Sequence, residues 1–373
     1  VGRGAVMDLL TLLIDRMSFL KPREKRRLSA DVGSLKMLER MTLDDISRII
    51  GRPAGRSSWS FPMEIRAAER GARWLDAHHV SAITMADPHF PGPLAEIYDP
   101  PFMLYTRGAL NALAGTPIAV VGTRRPSALC ARAAYDFGSQ AADARIALVS
   151  GLARGIDAMV HRGAVSKGGR GVAVLGSGID TIYPRENRRL AMDLLENGGA
   201  VVSEYPPGVP PLKYHFPARN RIISGLVQAV VLVQAPRRSG ALITVDHALE
   251  QGREVFVHES GLATEKDGAF EPTASLPGLT ADASAKRPGG TTPAPPEAGE
   301  RYAGGLELAS SGAPVVRSFY EVAESLGLLP AVDSIGHRGE PGASAGKQSR
   351  RWGNSLADQM ARQLLLGDEE GEW

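Results

Sequence analysis

The period of the apolar positions changes along the chain. From Met7 to Ala77 they recur at helical spacing: Leu9, Leu12, Leu13 and Ile14, then Leu35, Leu38 and Met41, then Leu43, Ile46 and Ile49. A stripe of this spacing marks helices that bury one face. Thr42 stands before Leu43-Asp44-Asp45: a capping residue, then acids where the helix dipole favours them. Residues 1–77 are expected to form a small helical N-terminal domain, either a packing module or a helix-hairpin-helix-like DNA contact.

From Ile118 the pattern becomes short, unbroken runs: Ile118–Val121, Ile146–Val149, Val172–Leu175, Ala200–Val202, Ala229–Val233 and Val255–Val257. Such runs suit strands covered on both faces. Helical segments separate them: Ala128–Ala144, Ile156–Lys167, Arg185–Glu196, Asn220–Gly225 and Ala241–Gln251. This alternation predicts an α/β fold with a Rossmann-like, doubly wound, mostly parallel sheet. The core is assigned to residues 117–258, entered through a Pro-rich connector of short strands and turns at 78–116. Residues 259–302 include KRPGGTTPAPPEAGE, lack apolar periodicity, and read as a Pro/Gly-rich insertion without fixed structure. Residues 303–330 close the core, with one short helix expected across Val315–Leu329. Residues 331–373 form a basic, then acidic, tail with a short helix at Leu356–Leu366.

Composition refines this picture. A chain of 373 residues that is 43% hydrophobic can bury a sizeable core. The net charge of +2 announces no polyanion partner, but 17 lysines and arginines face 12 acids between Pro117 and Glu259. The single cysteine, Cys130, excludes a disulfide within the chain and a cysteine-based zinc site, and fits a reducing, cytoplasmic setting. The apolar stretch Leu9–Ile14 is bracketed by Asp8 and Asp15. It reads as an amphipathic helix rather than a signal peptide or membrane span.

In an open parallel sheet, ligands bind outside the carboxyl ends of the strands. The expected strands are followed there by Gly122-Thr123-Arg124-Arg125-Pro126-Ser127, by Ser150-Gly151-Leu152-Ala153-Arg154-Gly155, by Gly176-Ser177-Gly178, and by Arg237-Arg238-Ser239-Gly240 leading to Thr244. Glycine lets the backbone approach a ligand, helix N-termini and hydroxyls favour phosphate, and arginine adds charge-assisted contacts. Strand-to-helix turns need glycine in any case. Four such loops along one edge point to a phosphate-binding surface. The segment Lys213-Tyr214-His215-Phe216-Pro217-Ala218-Arg219-Asn220-Arg221 interleaves cations with rings. A single-strand binder needs that combination. It equally fits a core Phe216 flanked by solvated arginines.

The blocks VVGTRRPS, VSGLARGIDAMVHRGA, VAVLGSGIDTIYPREN, SEYPPGVPP, FPARNRIISG and SGALITVDHALEQGREVF stand in that order. Together they resemble the DNA-processing protein A (DprA/Smf) family. The resemblance implies a homodimer that binds single-stranded DNA without catalysis, protects incoming strands during natural transformation, and helps load the RecA recombinase. It implies that Arg124 meets backbone phosphates, with Gly122, Arg125, Ser150, Gly151 and Arg154 in the same pocket. Lys213 would be a phosphate cation and Phe216 a stacking ring. Arg219 and Asn220 would flank them, and Ser239 and Thr244 would close the floor. After Val257 the chain continues His258-Glu259-Ser260-Gly261 where the family has a Pro-Gly turn, and no winged-helix pattern follows Val332.

No G-x-x-x-x-G-K-[ST] or H-E-x-x-H pattern occurs, no G-x-G-x-x-G follows the first strand, and no expected strand runs through a G-x-S-x-G nucleophile elbow into a helix. No metal or cofactor is therefore expected. Asp157 and His161 stand four apart, as a metal pair or as a helix-start acid with a structural histidine. Glu204 could be a general acid or base, or the partner of a pocket arginine. Two other functions fit the same loops: a nucleotide-processing Rossmann enzyme resembling the LOG-like phosphoribohydrolases, and a sensor for a small phosphorylated ligand.

Overall fold

The computed structural model describes residues 8–55, 59–115, 118–262 and 299–329. The central part of the Pro/Gly-rich stretch and the tail with its expected helix at Leu356–Leu366 lie outside the described residues.

Among the described residues nine strands form one sheet: β1 (Val80–Ile83), β2 (Leu104–Gly108), β3 (Ile118–Val121), β4 (Leu148–Ser150), β5 (Gly171–Val174), β6 (Ala200–Ser203), β7 (Ala229–Leu232), β8 (Glu254–His258) and β9 (Val315–Val316). Their order is β1-β2-β6-β5-β4-β3-β7-β8-β9. Strands β3 to β9 pair in parallel, and β1 and β2 add an antiparallel hairpin beside β6. The Val/Ile runs of β3, β5 and β7 are buried along their whole length, as strands covered on both faces must be.

The chain winds outward from β3 through β4 and β5 to β6. It then returns to the other side of β3 to lay down β7, β8 and β9. The reversal places a topological switch point between β3 and β7, where the loops leaving the two strands diverge and open a crevice.

The short strands expected in the connector are β1 and β2, and both are registered in the main sheet. The expected helix at Asn220–Gly225 begins already at His215. Across 315–329 the single expected helix is replaced by β9 followed by a helix at Phe319–Ser325. Val315 and Val316 pair with β8 before Ser318 caps that helix, its side chain accepting from the Glu321 amide. Branched residues beside an open strand edge gain more from pairing than from helix formation.

Among the described residues five helices precede the sheet: Leu9–Asp15, Pro22–Asp31, Leu35–Arg40, Leu43–Ile50 and Phe61–Ala77. Thr42 caps the fourth in a reciprocal capping box with Asp45. The helices do not stand apart. Leu13, Ile14, Met17 and Leu28 share one apolar core with Tyr105, Leu175 and Val201 of the sheet layer and with Leu190 of the helix Arg188–Glu196. A polar contact crosses this core: the Tyr105 hydroxyl donates to the buried Asp15 carboxylate at 2.7 Å, which also pairs with Lys25 at 2.9 Å. Burial, then the Asp15 charge, holds the Tyr105 phenol protonated, its pKa well above the usual range. Among the described residues no helix is long and apolar enough to cross a membrane.

His161, inside the helix Ile156–Ser166, is fully buried, and burial pushes its pKa down from 6.5 to about 4. The unfolded chain therefore takes up a proton below pH 6.5 that the folded chain refuses until about pH 4. The stabilisation is present above the first value and is lost as pH falls toward the second. It amounts to about 3 kcal/mol at most. We expect the urea midpoint of the parent to drop more between about pH 7 and pH 5 than that of His161→Gln. Equal drops in the two proteins would remove His161 as the cause.

Candidate nucleic-acid interface

The loop after β3 is built on the switch point. Thr123 donates its backbone amide to the Gln234 carbonyl at 2.7 Å, and Ser127 donates its own to the Gln234 side-chain oxygen at 2.9 Å. Ser127 in turn caps the helix Ala128–Asp143, accepting from Cys130 N at 3.2 Å. Gln234 follows β7, so one buried amide side chain ties the ends of the two diverging strands. These bonds leave Arg124 and Arg125 exposed at the mouth of the crevice.

The loop after β4 passes close beneath. Gly155 has φ +77°, and a Cβ there would lie 2.3 Å from the Thr123 carbonyl oxygen. Only glycine tolerates both the turn and the approach. Asp157 accepts from Gly151 N at 3.1 Å and Ala153 N at 3.4 Å, stapling the loop to its own helix. Burial raises the Asp157 pKa, and the nearby Arg219 charge pulls the other way. Asp157 is thus a loop anchor and His161 a core residue. Among the described residues no cluster of three or more His, Cys, Asp or Glu is placed to hold a metal.

The helix His215–Gly225 carries the third part. Phe216, half-buried at its start, lies against the backbone of Gly176, where an added Cβ would come within 2.8 Å of the ring. The Arg124 guanidinium stands 5.8 Å from the centre of the same ring, within cation–π range. Tyr183, from the loop after β5, adds a second ring with centroids 5.4 Å apart. Lys213 is exposed just before the helix. The loops after β3, β4 and β5 and the start of this helix therefore converge on one edge. Arg237 and Arg238 are exposed after β7, and Ser239 caps the next helix, accepting from Ala241 N at 3.3 Å.

The twelve residues singled out in the sequence divide by exposure. Arg124, Arg125, Arg154 and Lys213 are exposed, and Gly122, Phe216 and Ser239 are half-buried. Ser150, Gly151, Arg219, Asn220 and Thr244 are buried. The Ser150 hydroxyl donates to the Val120 carbonyl at 2.7 Å, and Asn220 donates to the Gly240 carbonyl at 3.2 Å. Arg219, only 4% exposed, points inward. Its guanidinium donates to the Gly151 carbonyl at 3.0 Å and to the Val174 carbonyl. Burial lowers its pKa to about 10, so it stays charged at neutral pH, with Asp157 opposing the shift. Arg219 thus binds the loops to the helix rather than facing outward beside Lys213.

Two residues absent from the sequence-derived set belong to the edge. Tyr183 lies in the block VAVLGSGIDTIYPREN, but no neighbouring pattern of cations marks it. Glu186, three residues on, takes both Nε and Nη2 of Arg154 in an ion pair. Nothing in the local sequence joins positions 32 apart.

Glu204 has a partner of its own. Arg221 grips it bidentately at 2.8 and 2.6 Å, and the two side chains are each 11% exposed. Burial opposes the Arg221 charge, but the Glu204 carboxylate outweighs it and raises the arginine pKa. The neighbouring Tyr205 ring stacks on His215 with centroids 4.0 Å apart. These contacts seat the helix His215–Gly225 on the end of β6.

The family model for DNA recombination-mediator protein A matches residues 81–274. Protein Smf of Escherichia coli is 46% identical over 197 residues, which cover 53% of this chain and 52% of that protein. The matched part thus spans about half the length of that curated relative. Among solved structures, DNA processing protein A from Streptococcus pneumoniae superposes with a TM-score of 0.59 at 29% identity, covering 84% of this chain and 95% of that one. DNA processing protein A from Helicobacter pylori, described for its single-stranded-DNA binding mode, shares the fold with a TM-score of 0.50 at 23% identity, over 67% of this chain and 97% of its own.

Removing one member of a buried ion pair leaves the other charged and uncompensated, which costs about 3–5 kcal/mol. Glu204→Gln should therefore lower unfolding stability by about 3 kcal/mol in urea titrations. A change near zero would show that Glu204 is free for another task.

Proposed function

The chain belongs to the DNA recombination-mediator protein A family, and on that premise we propose that its sheet edge grips single-stranded DNA. The observation that carries the reading is the convergence of Arg124 on the Phe216 ring, 5.8 Å away, with Lys213 exposed in the same helix-start segment. A single strand offers phosphates every nucleotide and bases with free faces. Cations meet the first and rings the second.

In this reading Arg124, Arg125 and Lys213 contact phosphates directly. Arg154 joins them when a phosphate displaces Glu186. Such an exchange is cheap, because an exposed ion pair is worth about 1 kcal/mol or less. Gly122 and the capped helix starts at Ser127 and Ser239 present backbone amides toward the strand. Phe216 stacks on a base. Ser150, Gly151, Arg219, Asn220 and Thr244 act from beneath, holding the loops in register.

We read the protein as a binder and not a catalyst. The bidentate hold of Arg221 on Glu204 supports this, since it engages the carboxylate at this strand end that a hydrolytic mechanism would need. The family supports a place in the handling of incoming DNA in the cytoplasm, with the RecA recombinase and a second copy of this chain as partners. It favours the DNA reading over a nucleotide-processing enzyme or a small-ligand sensor.

The test is a salt titration with a labelled single-stranded oligonucleotide. Parent affinity should fall steeply with salt, because each phosphate contact releases counterions. Arg124→Ala and Lys213→Ala should weaken binding to all sequences, each flattening the log–log slope by about one. Phe216→Ala should cost about 1–3 kcal/mol with little change of slope. Parent-like binding by all three variants would overturn the assignment.

A further inference from the structure

We propose that Tyr183 is a second base-stacking surface, continuous with Phe216, so that the edge takes two nucleobases side by side. The inference rests on the single-stranded-DNA reading and adds a contact to it.

Three observations carry it. Tyr183 is 45% exposed, although its neighbour Ile182 is buried. Its ring lies 5.4 Å from that of Phe216 at a 45° tilt. A base sandwiched between two rings needs about 7 Å, twice the contact distance. The rings therefore stand too close to enclose one base between them, and in this proposal each meets a different base. Tyr214 is also exposed and lies in the same cation-rich segment, but it leans on His215 rather than on the Phe216–Arg124 pair.

The loop that presents Tyr183 is held at both ends. Ser177 donates its hydroxyl to the Thr181 carbonyl at 2.6 Å, and Thr181 donates its amide to the Gly178 carbonyl at 2.9 Å. Beyond the ring, Asn187 is buried and donates to the Leu152 carbonyl at 2.8 Å, tying this loop to the one after β4. An aromatic ring held in place before binding loses little freedom on contact with a base. Tyrosine adds large contact area with few rotatable bonds. Glu186 on the same loop holds Arg154, so the phosphate cation and the stacking ring belong to one structural unit.

The test compares a thymidine oligonucleotide with one of equal length built from abasic residues, using the full chain. Tyr183→Ala should lower affinity for the thymidine strand on the order of five- to a hundredfold. Tyr183→Trp should retain it. On the abasic strand, both variants should bind as the parent does, with the same salt slope. Unchanged thymidine binding by Tyr183→Ala would overturn the proposal. So would an equal loss on the abasic strand, which would mark a structural role. The Arg124→Ala variant run alongside separates the two levels: if it weakens both strands while Tyr183→Ala weakens neither, only the second platform fails. If Arg124→Ala also binds like the parent, the DNA reading itself falls.

Discussion

A guanidinium taken out of water must satisfy its donors or cost several kcal/mol. Arg219 is such a group, and its partners are the carbonyls of Gly151, just past β4, and Val174, at the end of β5. The helix His215–Gly225 is thereby pinned across the ends of two neighbouring strands. Phe216 and Lys213 stand at the start of that helix, and their position against Arg124 depends on this one buried charge. Glu204 and Arg221 supply a second pin on the side of β6. The outward chemistry of the edge is thus set by inward polar contacts.

The same division of labour explains why the edge can be both rigid and cationic. Groups that must not move are buried and fully engaged: Ser150 on Val120, Asn220 on Gly240, Asp157 on the amides of its loop. The cations of the edge are left exposed on long side chains: Arg124, Arg125, Lys213 and, paired with Glu186, Arg154. In the proposed function, charge would draw a strand to this edge at low specificity, while rings and close backbone would set the geometry of contact. A net charge of only +2 hides this, because acids elsewhere balance cations gathered at one place.

Much of the architecture was legible in the pattern of residues. The unbroken Val/Ile runs identified the six central strands, and the loops after them were recognisable as gathering at one edge of the sheet. The boundaries moved where neighbours intervened. Val315 and Val316 are a strand because β8 offers a free edge, a fact no local window contains. The helix at His215 starts early because Arg219 and Phe216 have inward partners that reward helical backbone from the first turn.

For the edge itself, the chain alone determined which residue types could serve: cations beside glycines, one phenylalanine among basic residues, and hydroxyls at helix starts. These are local properties, written in composition and spacing. Only the tertiary structure decided which of them face outward. Arg219 and Arg221 lie two residues apart and look alike in sequence, yet one clamps carbonyls and the other a carboxylate. Tyr183 came to lie against Phe216, and Glu186 against Arg154, through contacts across the parallel sheet. Burial and pairing depend on where distant strands end, and the order of strands in a sheet is set by the packing of the whole chain.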